Sequence, residues 1–345
     1  MAPWGELSDT VVSDDNYDLP EIQGSGEMIL LTLTGPEYYY DYRGRHLGTQ
    51  YLLAEKFAST LGVRLRVEVC RDSTEMLSRL LADEGDIMAT TEVGHLVASP
   101  AKVELARELR SWYKPSLLDE IKQQETTLLS SRGVRRRVFS PMLDRKGGVI
   151  SHYDGFFMQY SRTIRWDWRL MAAQCYQEST FDPRATSFAG AKGLMQIMPS
   201  TADHLGLPRE QMYDPEQNIA AAARYIAELE RTFSDISDRR ERINFVLSAY
   251  NGGVHHIRDA MALCQRDGRN SRQWVHVREY VLKLSQPAYF NDPIVKYGYM
   301  RGTETADYVD KIQQRWQSYR GVKTPRQGFT QEPRKSHREH NKYKL

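Results

Sequence analysis

The chain has 345 residues, with 47 Lys and Arg against 45 Asp and Glu, a formal net charge of +2 and three cysteines. At about 100–200 residues per domain this length predicts two domains, and the near-neutral charge gives no global case for nucleic-acid binding. Apolar runs such as Met28–Leu33 are too short for a transmembrane helix, and Cys70, Cys175 and Cys264 are too widely spaced for a disulfide scaffold or a cysteine zinc cluster.

Residues 1–27 carry seven acids and no Lys or Arg, while 321–345 carry seven Lys or Arg and two Glu. Both ends are expected to be solvated, disordered tails. The opening MAPWGELSD has no basic stretch followed by an apolar one, so no secretion signal is read there. From Met28 the pattern becomes regular. Met28–Leu33 follows Gly24-Ser-Gly26 and reads as a strand; Thr49–Thr60, with Leu52, Leu53, Phe57 and Leu61 in register, reads as a helix stopped by Gly62. Val63–Val69 alternates as a strand, 73–82 is helical, and Asp86–Ala89 is a short strand, so residues 28–125 form a parallel α/β piece. A further amphipathic helix is expected over Pro100–Trp112. Residues 126–149, with Arg135-Arg136-Arg137, read as a basic, solvated linker.

From 150 to 320 helical signals follow one another with almost no strand pattern. Asp214-Pro215 caps and opens a helix with Ile219, Ala222, Ile226 and Leu229 on one face. The next, from about Glu241 to Tyr250, stops at Asn251-Gly252-Gly253. The fold class expected is therefore α+β with two domains, an α/β lobe followed by an all-α domain.

The chemistry-bearing stretch is Gln177-Glu-Ser-Thr-Phe-Asp-Pro183, then Ser187, then Gly190-Ala-Lys-Gly-Leu-Met-Gln-Ile-Met-Pro199. A helix running from Trp168 must stop before Pro183, so Glu178 falls in the last turn of a mostly apolar helix. A carboxylate at that negative pole, if desolvated, is poised to act as a general acid. The Gly193-Leu-Met-Gln196 segment lets backbone approach a ligand and sets an amide and a thioether beside it.

Glu178-Ser179, Gly193-Leu-Met-Gln196, Ala249-Tyr-Asn251 and Glu304-Thr-Ala-Asp-Tyr-Val309 stand in the order and rough spacing of the soluble lytic transglycosylase domain, which residues 150–320 resemble. These lysozyme-like enzymes cleave bacterial peptidoglycan. The α/β piece resembles family 3 periplasmic solute-binding proteins, through Gly35-Pro-Glu-Tyr-Tyr39, Ala54-Glu-Lys-Phe57, Leu61-Gly-Val63 and Gly85-Asp-Ile-Met88. Together the two are similar to the membrane-bound lytic murein transglycosylase F family. One departure stands out: between Ala89 and His95 that family crosses into a second α/β lobe, whereas here the chain passes straight to Leu96–Trp112.

The resemblance implies that Glu178 is the sole catalytic carboxylate, cleaving the MurNAc–GlcNAc bond without water to leave a 1,6-anhydromuramoyl end. It implies contacts to the glycan from Ser187, Met195, Gln196, Tyr250, Asn251 and Tyr308, with the Tyr308 hydroxyl orienting Glu178. It implies no metal or organic cofactor, peptidoglycan strands as partner, a muropeptide or amino-acid effector at an intact solute-binding domain, and a periplasmic place, attached to the outer membrane. The alternatives are a goose-lysozyme-like hydrolase using the same Glu178, and a non-catalytic wall-binding or sensing protein. Met195 equally suits a core position and Asn251 a simple helix stop. Cys175 reads as a small buried residue or as a disulfide partner of Cys264.

Overall fold

The computed structural model describes residues 17–322, apart from 43, 91 and 130–133. Expectations placed on 1–16, on the linker positions 130–133 and on 323–345 lie outside the described residues. The chain divides into two compact units: Met1–Leu129 with Lys283–Met300, and Ser130–Leu282 with Arg301–Leu345.

In the first unit, α1 (Leu19–Ser25) is opened by a capping box between Asp18 and Glu21 and closed by Gly26 in the left-handed conformation. This corrects the expectation of a wholly disordered acidic segment. The Asp18 carboxylate is buried because it also accepts from the amides of Glu104 and Leu105, at 2.8 and 3.0 Å. Strand β1 (Glu27–Thr32) follows, then a hairpin of β2 (Tyr40–Tyr42) and β3 (Arg45–Leu47), then α2 (Thr49–Leu61), β4 (Arg64–Val69), α3 (Ser73–Leu81) and β5 (Ile87–Ala89). The unit continues through β6 (Leu96–Ala98), α4 (Val103–Trp112) and α5 (Pro115–Leu129). The sheet order is β4-β1-β5-β6, with β1 parallel to both neighbours and β6 antiparallel to β5. Alternation along β1 divides the core: Met28 and Leu30 pack with Phe57, Leu105 and Ile121, while Leu31 packs with Met76 and Leu80. The expected parallel α/β piece is present, with α5 running on to Leu129, past the 28–125 boundary and into the expected linker.

The second unit opens with β7 (Val134–Arg135), then α6 (Asp154–Thr163), α7 (Trp168–Ser179), β8 (Thr186–Ser187), α8 (Pro199–His204), α9 (Pro215–Thr232), α10 (Arg239–Gly252), α11 (Val254–Arg266) and α12 (Trp274–Lys283). Strands β7 and β8 pair antiparallel, Val134 with Ser187 and Arg135 with Thr186. Asp214 caps α9 by accepting from Gln217 N, with Pro215 in the first turn as expected.

An uninterrupted helical domain over 150–320 is not what the chain makes. After α12 the residues from Lys283 to Met300, including α13 (Pro287–Phe290), belong to the first unit. There Phe290 and Tyr299 meet edge to face, Tyr299 meets Tyr40, and Tyr299 N donates to Thr34 Oγ1 at 2.9 Å. Burying these aromatics is what holds the excursion in that unit. The chain then returns as α14 (Gly302–Tyr319), which packs in the second unit against α7 and α10.

Candidate active site

Helix α7 is capped by Asp167, whose side chain accepts from Arg169 N, and its middle is buried on nearly every side: Leu170, Met171, Ala172, Ala173, Gln174 and Cys175 are all inaccessible. It ends where Thr180 and Phe181 adopt φ of +53° and +64°, ahead of Asp182-Pro183. Glu178 thus sits in the last turn, as expected, and is only 7% exposed.

The face of α14 that meets it carries Thr305, Tyr308 and Ile312, spaced to share one side of a helix. The Tyr308 hydroxyl donates to Glu178 Oε1 at 2.5 Å and accepts from Gln174 Nε2 at 3.2 Å. Gln174 lies one turn before Glu178, so the amide, phenol and carboxylate form a short relay between two helices. Burial, then the nearby Glu178 charge, pushes the phenols of Tyr308 and Tyr250 well above their ordinary range. Both stay protonated near neutral pH and serve as donors.

Of the remaining expected residues, Ser187, Met195 and Gln196 lie on the chain between α7 and α8, and Tyr250 and Asn251 on α10. Gly193 has φ +79°, and a Cβ there would run into the Met212 carbonyl and the Asn218 amide. That close approach lets the buried Asn218 pin the loop: its Oδ1 accepts from Met195 N at 2.8 Å, and its Nδ2 donates to the carbonyls of Lys192 and Met212 at 3.0 and 2.9 Å. Tyr250 donates to Met195 O at 2.8 Å. The Met195 side chain itself is wholly buried, so it offers no surface to a sugar, and only its backbone is engaged by Asn218 and Tyr250. Gln196, at φ +49°, donates to the carbonyls of Gly193 and Ala185, leaving its buried Oε1 without a partner among the described residues. Ser187 is half-buried on β8, with Oγ accepting from Ala191 N at 2.9 Å. Asn251 Oδ1 accepts from Thr305 Oγ1 at 2.8 Å, tying α10 to α14 one turn before Tyr308. It lies inside α10, and the helix stop falls on Gly253.

Two acids near Glu178 in the sequence are otherwise engaged. Asp182 accepts from the amides of Arg184 and Arg137, and Asp214 caps α9. All three cysteines are free thiols, so Cys175 does not pair with Cys264. Burial pushes the Cys175 thiol far above its usual range, which suits a packed residue and not a nucleophile. Arg136 corrects the reading of a solvated linker: its Nη1 donates to the carbonyl oxygens of Glu178 and Gln177, at 2.8 and 3.4 Å. Among the described residues no three His, Cys, Asp or Glu come together as a metal site. Gln174, Asn218, Thr305 and Arg136 are the residues that motif spacing alone did not single out. Gln174 was open to discovery by its one-turn offset from Glu178, and Thr305 by its offset from Tyr308.

Residues 156–272, within the second unit, match the family model described as the transglycosylase SLT domain. More particularly, the chain is related to proteins named membrane-bound lytic murein transglycosylase F. That of Desulfosudis oleivorans is 41% identical over 146 residues, 42% of this chain and 31% of its own length. That of Sodalis glossinidius is 25% identical, aligned over 86% of this chain and 88% of its own. The chain thus spans about a third of the length of the first of these relatives, and most of the second. The soluble lytic transglycosylase SLT70 of Escherichia coli aligns over 49% of this chain and 24% of its own, at 25% identity and a TM-score of 0.33.

Proposed function

We propose that the chain is a peptidoglycan lytic transglycosylase with a lysozyme-like catalytic domain, in which Glu178 alone serves as acid and then base. The observation that carries this is the 2.5 Å bond from Tyr308 to a buried carboxylate at the end of α7, inside the matched domain. Protonated Glu178 gives its proton to the glycosidic oxygen between N-acetylmuramic acid and N-acetylglucosamine. The carboxylate then takes the proton of the muramoyl 6-hydroxyl as that oxygen bonds to its own anomeric carbon. One C–O bond breaks, one forms, and no water enters. The two-carboxylate scheme of most glycoside hydrolases needs a second acid. Asp182 and Asp214, which spend their oxygens on backbone amides, are poor candidates for it. Ser187, Gln196, Tyr250 and Asn251 would line or support the glycan site, Met195 acting through its backbone.

The first unit is a reduced solute-binding-like lobe in this reading. The chain turns back from β5 to β6 between Ala89 and Leu96, and the Sodalis alignment runs to 419 positions against 345 residues here, so that relative carries chain this protein lacks. A ligand held between two lobes is therefore not assigned. A peptidoglycan substrate puts the protein in the periplasm in this reading; no helix among the described residues is long and apolar enough to cross a bilayer. Turnover of purified peptidoglycan tests the role of Glu178. Glu178→Gln, with an unchanged melting temperature, is expected to lose at least about a hundredfold in fragment release, the lower end of what general acid catalysis supplies. A folded Gln variant of parental activity overturns the reading.

A further inference from the structure

The segment Val134–Arg137 lies ahead of the matched domain, which begins at residue 156. It nevertheless makes a continuous set of bonds around the end of the catalytic helix. Strand β7 pairs with the strand that bears Ser187. The next residue, Arg136, donates from Nη1 to the carbonyls of Glu178 and Gln177. Then Arg137 N donates to Asp182 Oδ2 at 2.6 Å, and Arg137 O accepts from Thr180 Oγ1 at 2.7 Å. Four bonds therefore tie two consecutive residues of this strap to residues 177, 178, 180 and 182.

What the strap grips is a turn that L side chains disfavour. Thr180 and Phe181 are successive non-glycine residues in the left-handed region, at φ +53° and +64°. Such a turn persists only where its surroundings over-determine it, and these gather at active sites. Its release would let the last turn of α7 unwind, and that turn contains Glu178. The last carbonyls of a helix lack intrahelical donors and form its negative pole, so a guanidinium there satisfies both the hydrogen bond and the charge.

We infer that Arg136 is a positioning residue for Glu178: it clamps the end of α7 and fixes the carboxylate against Tyr308. The inference rests on the reading of Glu178 as the catalytic acid, and its test keeps the two apart. Because the Tyr308–Glu178 bond is short, its hydroxyl proton is expected far downfield in the NMR spectrum, identified by its loss in Tyr308→Phe. In the full-length chain, Arg136→Gln is expected to move that proton upfield or abolish it. In turnover of soluble glycan fragments, it is expected to lower kcat on the order of tenfold with KM within about twofold, as for a small misplacement of a catalytic group. Arg136→Lys keeps the charge without the fork and is expected to recover part of both signals. Arg145→Ala, at an exposed arginine beyond the strap, controls for net charge and is expected to change neither.

A general helix cap predicts a different result: a lower melting temperature in Arg136→Gln, with the Tyr308 proton and kcat as in the parent. That result overturns the inference. Should Arg136→Gln not fold, Arg136→Lys carries the test, and a parental kcat with an unmoved Tyr308 proton again overturns it. A parent that releases no glycan fragments refutes the proposed activity, while the Tyr308 proton still decides whether Arg136 positions Glu178.

Discussion

Asp86 in the first unit and Glu178 in the second are both buried carboxylates, and the two are satisfied in opposite ways. In the first unit Asp86, 3% exposed, accepts from Ile29 N at 2.6 Å and faces the ammonium of Lys102 at 3.5 Å. Lys102 is itself 1% exposed and also pairs with Asp83. In the second unit Glu178 receives a phenol, and behind that phenol stands an amide. An ion pair locked to backbone between a strand and a helix fixes geometry. A carboxylate oriented by a phenol keeps a neutral partner on that oxygen instead of a fixed cation. The same chemical group is a structural pin in one unit and, in the proposed function, a proton carrier in the other, and the partners decide which.

The comparison is broken most severely at Lys102. Lys102→Met leaves Asp83 and Asp86 facing each other without their cation, and removal of one partner of a buried pair costs about 3–5 kcal/mol. A urea or thermal melt of the full chain is expected to show that loss. A variant as stable as the parent means the cluster is not the pin described. Tyr308→Phe strikes the other carboxylate more gently. Losing a hydrogen bond to a charged group is worth about 1.5–3 kcal/mol, so kcat is expected to fall roughly ten- to a hundredfold, with a small change in melting temperature. An unchanged kcat detaches Tyr308 from the chemistry.

The smallest effect sharpens the contrast at an exposed pair. His46 Nδ1 lies 2.6 Å from Asp41 Oδ1, and this bond, against the opposing effect of partial burial, raises the imidazole above its ordinary 6.5. A raised folded-state value stabilises the fold fully below pH 6.5, and the contribution is lost as pH rises through that higher value. With both side chains about half exposed, solvent screening keeps the effect small. Urea midpoints are expected to slope gently downward from neutral to mildly alkaline pH in the parent, and to lose that part of the slope in His46→Gln.

The site was more legible than the frame around it. Glu178 at a helix end, the Gly193–Gln196 loop and the Asp214 cap follow from proline, glycine and capping rules that act over a few residues. So do α2, α3, β1 and β4, where apolar spacing is regular. The hairpin Tyr40–Leu47 was not visible, because its tyrosine-rich run reads equally as turn. Helix α5 was missed because it buries only Ile121 and Leu128 among polar neighbours. The excursion Lys283–Met300 hides for a related reason: Pro287 and Pro293 read as breaks, and its value lies in distant aromatics. Arg136 illustrates the limit most clearly. Three consecutive arginines look the same whether they are solvated or set against a helix terminus, and only the partner 42 residues away tells them apart.

The central claim is that Glu178 drives cleavage without water, and the mass of the new glycan end reads that out directly. Digestion of purified peptidoglycan with the intact chain, followed by mass spectrometry of the soluble fragments, is predicted to give ends lighter by one water than reducing muropeptides, and none with Glu178→Gln. Reducing ends, released by the parent and absent from the variant, would contradict the account and require a second group that activates water.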